Sequence, residues 1–273
     1  MFEFENYINN LLINDNYNNN INIVKHRDEL KKLSTLKKPI KNYLHLNYIL
    51  ENFKYDDKIL DYGSGNSILI SLLHFLGYNS LFGVDVIINK KREFIFKICN
   101  FNENNFYLIE DSLPFNDKYF DLVISNTVIE HVFNVENYFS ETSRVLKDDK
   151  KAYFIFPHRL RPYDSHTRTI FIHYFPKKLR KYLYDYFTKE GGNYYNNFLN
   201  LQYPGFYYKL SKRFFSSIEN NTQERLLSSS IEIYDGNKNF RKFYQSLIKI
   251  PILGKIILNL SYKFTQLSII LTK

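Results

Sequence analysis

Ile59-Leu60-Asp61-Tyr62-Gly63-Ser64-Gly65-Asn66 is the stretch that decides how this chain is read. A short apolar run ends in an acidic residue, a Gly-x-Gly turn follows, and a helical run from Asn66 to Phe75 begins. The next apolar run, Leu81-Phe82-Gly83-Val84, ends in Asp85. An acidic residue about 20 positions beyond a glycine turn suits a ribose-binding carboxylate at the end of a second strand. Asp61 adds a negative charge beside the turn, which favours a nucleoside cofactor that carries a positive charge.

Working outward, strands and helices alternate. Lys58 to Asp61 is strand-like, and Ile68, Leu69, Leu72, Leu73 and Leu76 mark a helix face with Gly77 as its stop. Leu81 to Val86 predicts a second strand, Lys90 to Cys99 a helix, Phe106 to Ile109 a third strand and Asp121 to Ser125 a fourth. Asn134 caps a helix whose apolar face includes Val135, Tyr138, Phe139 and Val145, and Ala152 to Phe156 predicts a fifth strand. This alternation predicts a Rossmann-like α/β fold: a seven-stranded, mostly parallel sheet with helices on both faces and an antiparallel last strand, Leu267 to Leu271. Residues 1–54 read as an N-terminal arm and helical cap, with a helical pattern from Leu30 to Phe53. Residues 55–273 read as the main domain. An insertion over 157–228 follows the fifth strand, with breaks at Gly191-Gly192 and Pro204-Gly205, and a further strand is expected at Ser230 to Tyr234.

Composition sets bounds. A chain of 273 residues can bury a large core. Its single cysteine, Cys99, excludes an internal disulfide and a cysteine-based zinc site. No secretory leader and no run of 18 apolar residues is visible, so the expected location is cytoplasmic, with peripheral contact at the inner membrane face as a variant. The net charge of +9 is uneven. Residues 157–190 hold eight Lys/Arg and three Asp/Glu, a net of +5; residues 236–273 hold seven Lys/Arg and no acid, a net of +7. The remainder carries −3. Two basic segments outside the cofactor core point to an anionic partner or to an ordinary solvated surface.

With these residues in place, the chain resembles the class I S-adenosylmethionine-dependent methyltransferases over roughly 55–156. The glycine turn matches the first motif and Phe82-Gly83-Val84-Asp85 the second. Glu110-Asp111-Ser112-Leu113-Pro114-Phe115 matches the segment after the third strand, and Phe120 through Glu130-His131-Val132 matches the fourth motif in its Glu-His form. The resemblance implies S-adenosyl-L-methionine as cofactor, held by Asp61, Gly63, Ser64, Gly65, Asp85, Val86, Asp111, Ser112 and Asn126. Asp61 would meet the methionyl ammonium, Asp85 the ribose hydroxyls and Asp111 the adenine amino group. A nicotinamide cofactor shares Asp85 and Gly63-x-Gly65. Against it, Ile68 stands where G-x-G-x-x-G requires its third glycine, and a dinucleotide site leaves Asp111-Ser112 and Asn126 without a role.

On the acceptor side, His131 is the candidate general base, because it follows the fourth strand at the cofactor edge and histidine is the side chain that most often serves as one. Glu130 and His158 complete the candidate catalytic set. In ubiquinone-type O-methyltransferases a related E-x-x-E-H motif is associated with a divalent cation; here Thr127 replaces its first acid, so no metal site is assigned. Three of the seven histidines lie between 158 and 173, and with His131 they could form a metal or acid/base cluster. Arg159, Arg161 and Arg168 could clamp a phosphate or carboxylate on the acceptor. The C-terminal run Leu247 to Leu260 reads either as a cover for the sheet or as a basic, apolar-faced element resting on anionic lipid. The expected enzyme methylates a hydroxyl of a sugar, a lipid-linked glycan or another small molecule. The alternatives are an RNA-directed methyltransferase, with nucleic acid disfavoured because an Asn-Pro-Pro-Tyr-type signature is missing, and a non-catalytic membrane-surface protein.

Overall fold

The computed structural model describes residues 48–49, 52–65, 67–75, 77–87, 103–164, 169–187, 198–223, 246–247, 250–261 and 265–273. Most of the N-terminal arm, the helix expected at Lys90 to Cys99, Gly191-Gly192 and the strand expected at Ser230 to Tyr234 lie outside the described residues, as do Asn66, His166 and Arg168.

Strands β1 (Ile59–Tyr62), β2 (Leu81–Asp85), β3 (Phe106–Leu108), β4 (Phe120–Asn126), β5 (Leu146–Phe156), β8 (Ser217–Asn220) and β9 (Leu267–Thr272) form a seven-stranded sheet in the order β3-β2-β1-β4-β5-β9-β8. The first five run parallel; β9 is antiparallel to both β5 and β8. Every residue of β1, and Phe120 to Ser125 of β4, is buried, as expected of central parallel strands covered on both faces. The order reverses between β1 and β4, so the carboxyl ends of β1, β2 and β4 open onto one crevice.

Helix α1 (Ile68–Phe75) ends at Gly77, whose φ of +97° lets its amide reach the His74 carbonyl while the Tyr78 amide reaches that of Leu73. Helix α2 (Val135–Val145) starts where expected: the Asn134 side chain accepts from the Asn137 amide at 3.1 Å. Its buried face, including Tyr138, Phe139 and Val145, packs into the main core with Phe120, Val123 and Phe154.

After β5 the chain forms a small hairpin, β6 (Tyr163–Asp164) with β7 (Thr169–Ile170), and then helices α3 (Lys177–Phe187) and α4 (Pro204–Ser211). Two features depart from the sequence reading. Pro204-Gly205 starts α4 rather than breaking the chain, because proline at the first helical position lacks only an amide that would go unbonded there. The stretch expected to be an insertion also contains β8, the sheet's edge strand. Helix α5 (Leu253–Ser261) leaves Leu253, Ile256 and Leu260 exposed.

Candidate cofactor and acceptor site

The turn after β1 is tied down by β2. The Gly63 and Ser64 amides both donate to the Val84 carbonyl at 2.9 Å, and the Gly65 amide donates to Asp85 Oδ2 at 2.7 Å. Gly63 has φ +86°, and a Cβ there would lie 2.3 Å from Val128 Cγ2. The absent side chain therefore lets the turn pass against the exit of β4, which is a close-approach requirement as much as a conformational one.

Asp61 ends buried at the floor of this crevice. Burial, reinforced by the charge of Asp85, pushes its carboxyl up to about 7. Two acidic groups converging in a closed space favour a cation, and a positively charged ligand relieves both. The Ser64 and Ser67 hydroxyls are also buried, and among the described residues neither has a hydrogen-bond partner. Buried polar atoms of this kind call for a ligand or water. Together they fit the methionyl end of S-adenosylmethionine.

Asp85 accepts from the Val86 amide at 2.7 Å and from Ile87 at 3.3 Å through Oδ1, in addition to Gly65. Its carboxylate is thus fixed in position, and its remaining lone pairs are the ones available to a ribose. Val86 and Ile87 are exposed just beyond it, as is Leu108 at the end of β3. Asp111 and Ser112 are exposed on the next loop; the Asp111 carbonyl accepts from the Asn137 side chain at 2.6 Å. Asn126 is half-buried at the end of β4.

The residues that hold these loops escaped sequence reasoning. Glu141 on α2 accepts from the Leu113 amide at 2.7 Å and pairs with Arg144, which in turn donates to the Leu113 and Phe115 carbonyls at 3.0 and 2.7 Å. Arg144 holds the Glu141 carboxyl below its usual range. Tyr138 stacks on Tyr62 with ring centroids 4.0 Å apart, and its hydroxyl lies 3.0 Å from Ser125 Oγ and 3.2 Å from the Tyr62 carbonyl. The i, i+3 spacing of Glu141 and Arg144 was visible in the sequence, but their partners were not.

The acceptor side divides the three candidate catalytic residues. After β4, Thr127 takes φ +55° and a single 3-10 turn spans Ile129–His131. His131 is half-buried, and its Nδ1 lies 2.6 Å from the Phe198 carbonyl. A carbonyl only accepts, so Nδ1 carries the proton and the neutral ring's lone pair sits on Nε2. His158 is fully buried, and its Nδ1 accepts from the Leu160 amide at 3.2 Å. That bond occupies the basic nitrogen of the neutral ring. Glu130 is fully buried, and burial raises its carboxyl to about 8 against the opposing charge of Arg161.

His158, Arg161, Asp164 and His173 line a cavity with about 10 Å³ of free space, the size of one water. The Tyr184 hydroxyl donates to Asp164 Oδ2 at 2.7 Å, and His173 Nε2 lies 3.4 Å from the same oxygen. Arg161 is buried here, whereas Arg159 stays half-buried with its guanidinium 4.8 Å over the Tyr203 ring. Of the expected histidine cluster, His158 and His173 line the same cavity, His131 pairs with the Phe198 carbonyl, and His166 lies outside the described residues. Among the described residues no three His, Cys, Asp or Glu side chains converge as a metal site.

Residues 60–154 match a family model described as a methyltransferase domain. The matched stretch, about a third of the chain, is the part that builds the crevice of β1, β2 and β4, and there the chain is similar to methyltransferases. Among solved structures, an S-adenosylmethionine dependent methyltransferase from Mesorhizobium loti aligns at 14% identity with a TM-score of 0.51, covering 88% of this chain and all of that one. A geranyl diphosphate methyltransferase in complex with SAM aligns at 11% identity and a TM-score of 0.50, covering 82% of each chain. At such identities the likeness is one of fold. No curated protein sequence matches the chain.

Proposed function

We propose that this protein transfers a methyl group from S-adenosylmethionine to a hydroxyl of a sugar, a lipid-linked glycan or a similar small molecule, with His131 as the general base. The observation that supports the reading is the 2.6 Å contact between His131 Nδ1 and the Phe198 carbonyl, which favours the tautomer protonated on Nδ1. The donor supplies an activated sulfonium methyl for in-line displacement. Asp61 neutralises the donor's ammonium, and the buried Ser64 and Ser67 hydroxyls would bind its carboxylate. Asp85 takes the ribose, Asn126 lies beside the methionyl portion, and Asp111 and Ser112 take the adenine beside Val86. Nε2 of His131 accepts the hydroxyl proton as the acceptor oxygen forms its bond to the methyl carbon.

Glu130 and His158 support this arrangement from within the protein, since both are fully buried. Arg159, at the rim, is the group that would meet an anionic substituent on the acceptor.

The test is mass spectrometry of a glycan and lipid-linked glycan pool incubated with S-adenosylmethionine. A product heavier by one methyl group supports the reading. His131→Ala should retain cofactor binding by calorimetry while turnover falls by about 10²-fold or more. Unchanged turnover would remove His131 from the chemistry.

A further inference from the structure

Helix α3 carries a pattern that methyl transfer does not use. Arg180 and Tyr184 are buried, and Tyr184 bonds Asp164, so one face of the helix is anchored to the protein. The other face is apolar and exposed. Leu179, Tyr182 and Tyr186 follow one another at intervals of three and four residues, which aligns them along a single stripe, and Phe175 is exposed just before the helix. Tyr182 and Tyr186 are 74% and 79% exposed. Lys178 and Lys181 are exposed on the same helix, and Lys177–Phe187 carries a net of +3. Just before it, Phe171 takes φ +60° and is exposed, with its ring 5.6 Å from that of Tyr174. An aromatic side chain held in the left-handed region is costly, which points to a reason for presenting that ring outward.

We infer that this face of α3 docks the protein on an anionic phospholipid surface. Large exposed apolar patches mark interaction sites. The chemistry separates a bilayer from a protein partner. Lysine is depleted in protein interfaces, whereas a convex helix with tyrosine and leucine flanked by lysine matches an element lying in the plane of a membrane interface. The exposed Lys178 and Lys181 on the same helix supply the charge complementarity to anionic headgroups. The inference concerns α3 rather than the C-terminal helix α5, and it does not depend on the acceptor.

The test is cosedimentation of the full chain with phosphatidylcholine vesicles, with and without phosphatidylglycerol, at low and high salt. Wild type should bind the phosphatidylglycerol vesicles and lose much of that binding at high salt. Tyr182→Asp/Tyr186→Asp and Lys178→Glu/Lys181→Glu should each weaken it by on the order of tenfold or more, while Leu253→Asp/Ile256→Asp retains it. Circular dichroism and thermal melts check that the surface variants fold. Absence of wild-type binding, or equal binding by the folded α3 variants, overturns the inference. So does loss of binding in the α5 variant alone. Vesicle-independent self-association abolished by the tyrosine substitutions would assign the face to a second copy of the chain and overturn it as well.

Discussion

The carboxylate of Asp85 and the amide of Gly65 lie 2.7 Å apart, which joins the end of β2 to the turn after β1. One side chain shapes the glycine turn and, in the proposed function, offers its remaining lone pairs to the ribose. Asp85→Ala removes both at once. Hydrogen bonds to charged groups contribute about 1.5–3 kcal/mol each, so cofactor affinity by calorimetry should fall at least tenfold. Equal affinity would place the ribose elsewhere.

Asp61 supplies a pH signature. Its folded-state carboxyl is raised to about 7 from an ordinary 3.8, so it becomes fully charged only above neutrality. The donor's ammonium prefers the carboxylate, and affinity should rise as pH increases through about 7 and then level off. Stability of the ligand-free chain runs the other way. The folded state holds this proton more tightly than the unfolded one, so the stabilising contribution is complete below about 4 and lost as pH rises through about 7. Glu130, raised to about 8 by burial, adds to the same trend. Thermal melts across this range should show the decline, and Asp61→Asn should reduce it while flattening the pH dependence of binding.

Gly63→Ala should be more damaging than an ordinary turn substitution. The new Cβ meets Val128 Cγ2 at 2.3 Å, and φ of +86° disfavours any side chain. A loss of about 1–3 kcal/mol in chemical denaturation is expected. Gly63→Ala/Val128→Ala should recover part of it, because the clash is relieved and the backbone strain is not. No recovery would show that strain alone sets the cost.

Glu141→Ala tests the loop beyond β3. It leaves the Leu113 amide unpaired and releases Arg144 from the carboxylate. The expected result is faster hydrogen exchange at Leu113, a loss of about 1–3 kcal/mol in stability, and a raised cofactor KM with kcat little changed. A fall in kcat alone would contradict a purely positioning role.

Much of the parallel half of the sheet was legible because its strands are buried on both faces and read as continuous apolar runs, as in Ile59-Leu60 and Leu122-Val123-Ile124. The motif match over 60–154 falls within the stretch that carried the resemblance. The edge strand β8 was not legible: of Ser217-Ile218-Glu219-Asn220, Ile218 alone is half-buried, so no apolar alternation marks it. β5 begins at Leu146, six residues before its apolar run, because Lys147 to Lys151 lie on a partly solvated stretch past the bulge at Phe120–Leu122. In the site, Asp61, Gly63 and Asp85 were visible as spacing. Apart from the Glu141–Arg144 pair itself, Glu141, Arg144 and Tyr138 act through partners 13 or more residues away, and the burial of His158 and Arg161 depends on how the segment after β5 folds back. Local sequence carries no signal for either.

A segment within the expected insertion, residues 198–202, crosses the exit of β4. The Asn200 amide donates to the Glu130 carbonyl at 2.6 Å and its side chain to that of Val132 at 2.7 Å, while the Arg159 amide donates to Gln202. Together with the Phe198 carbonyl on His131, these contacts weave the region that would choose the acceptor into the backbone that would carry the base. The two are not separable modules. Grafting a foreign 157–203 segment onto this scaffold would remove the contacts that hold His131 and Glu130 along with the proposed recognition surface, so under this reading new acceptor preferences would be sought by substitution at the rim, with the crossing segment kept whole.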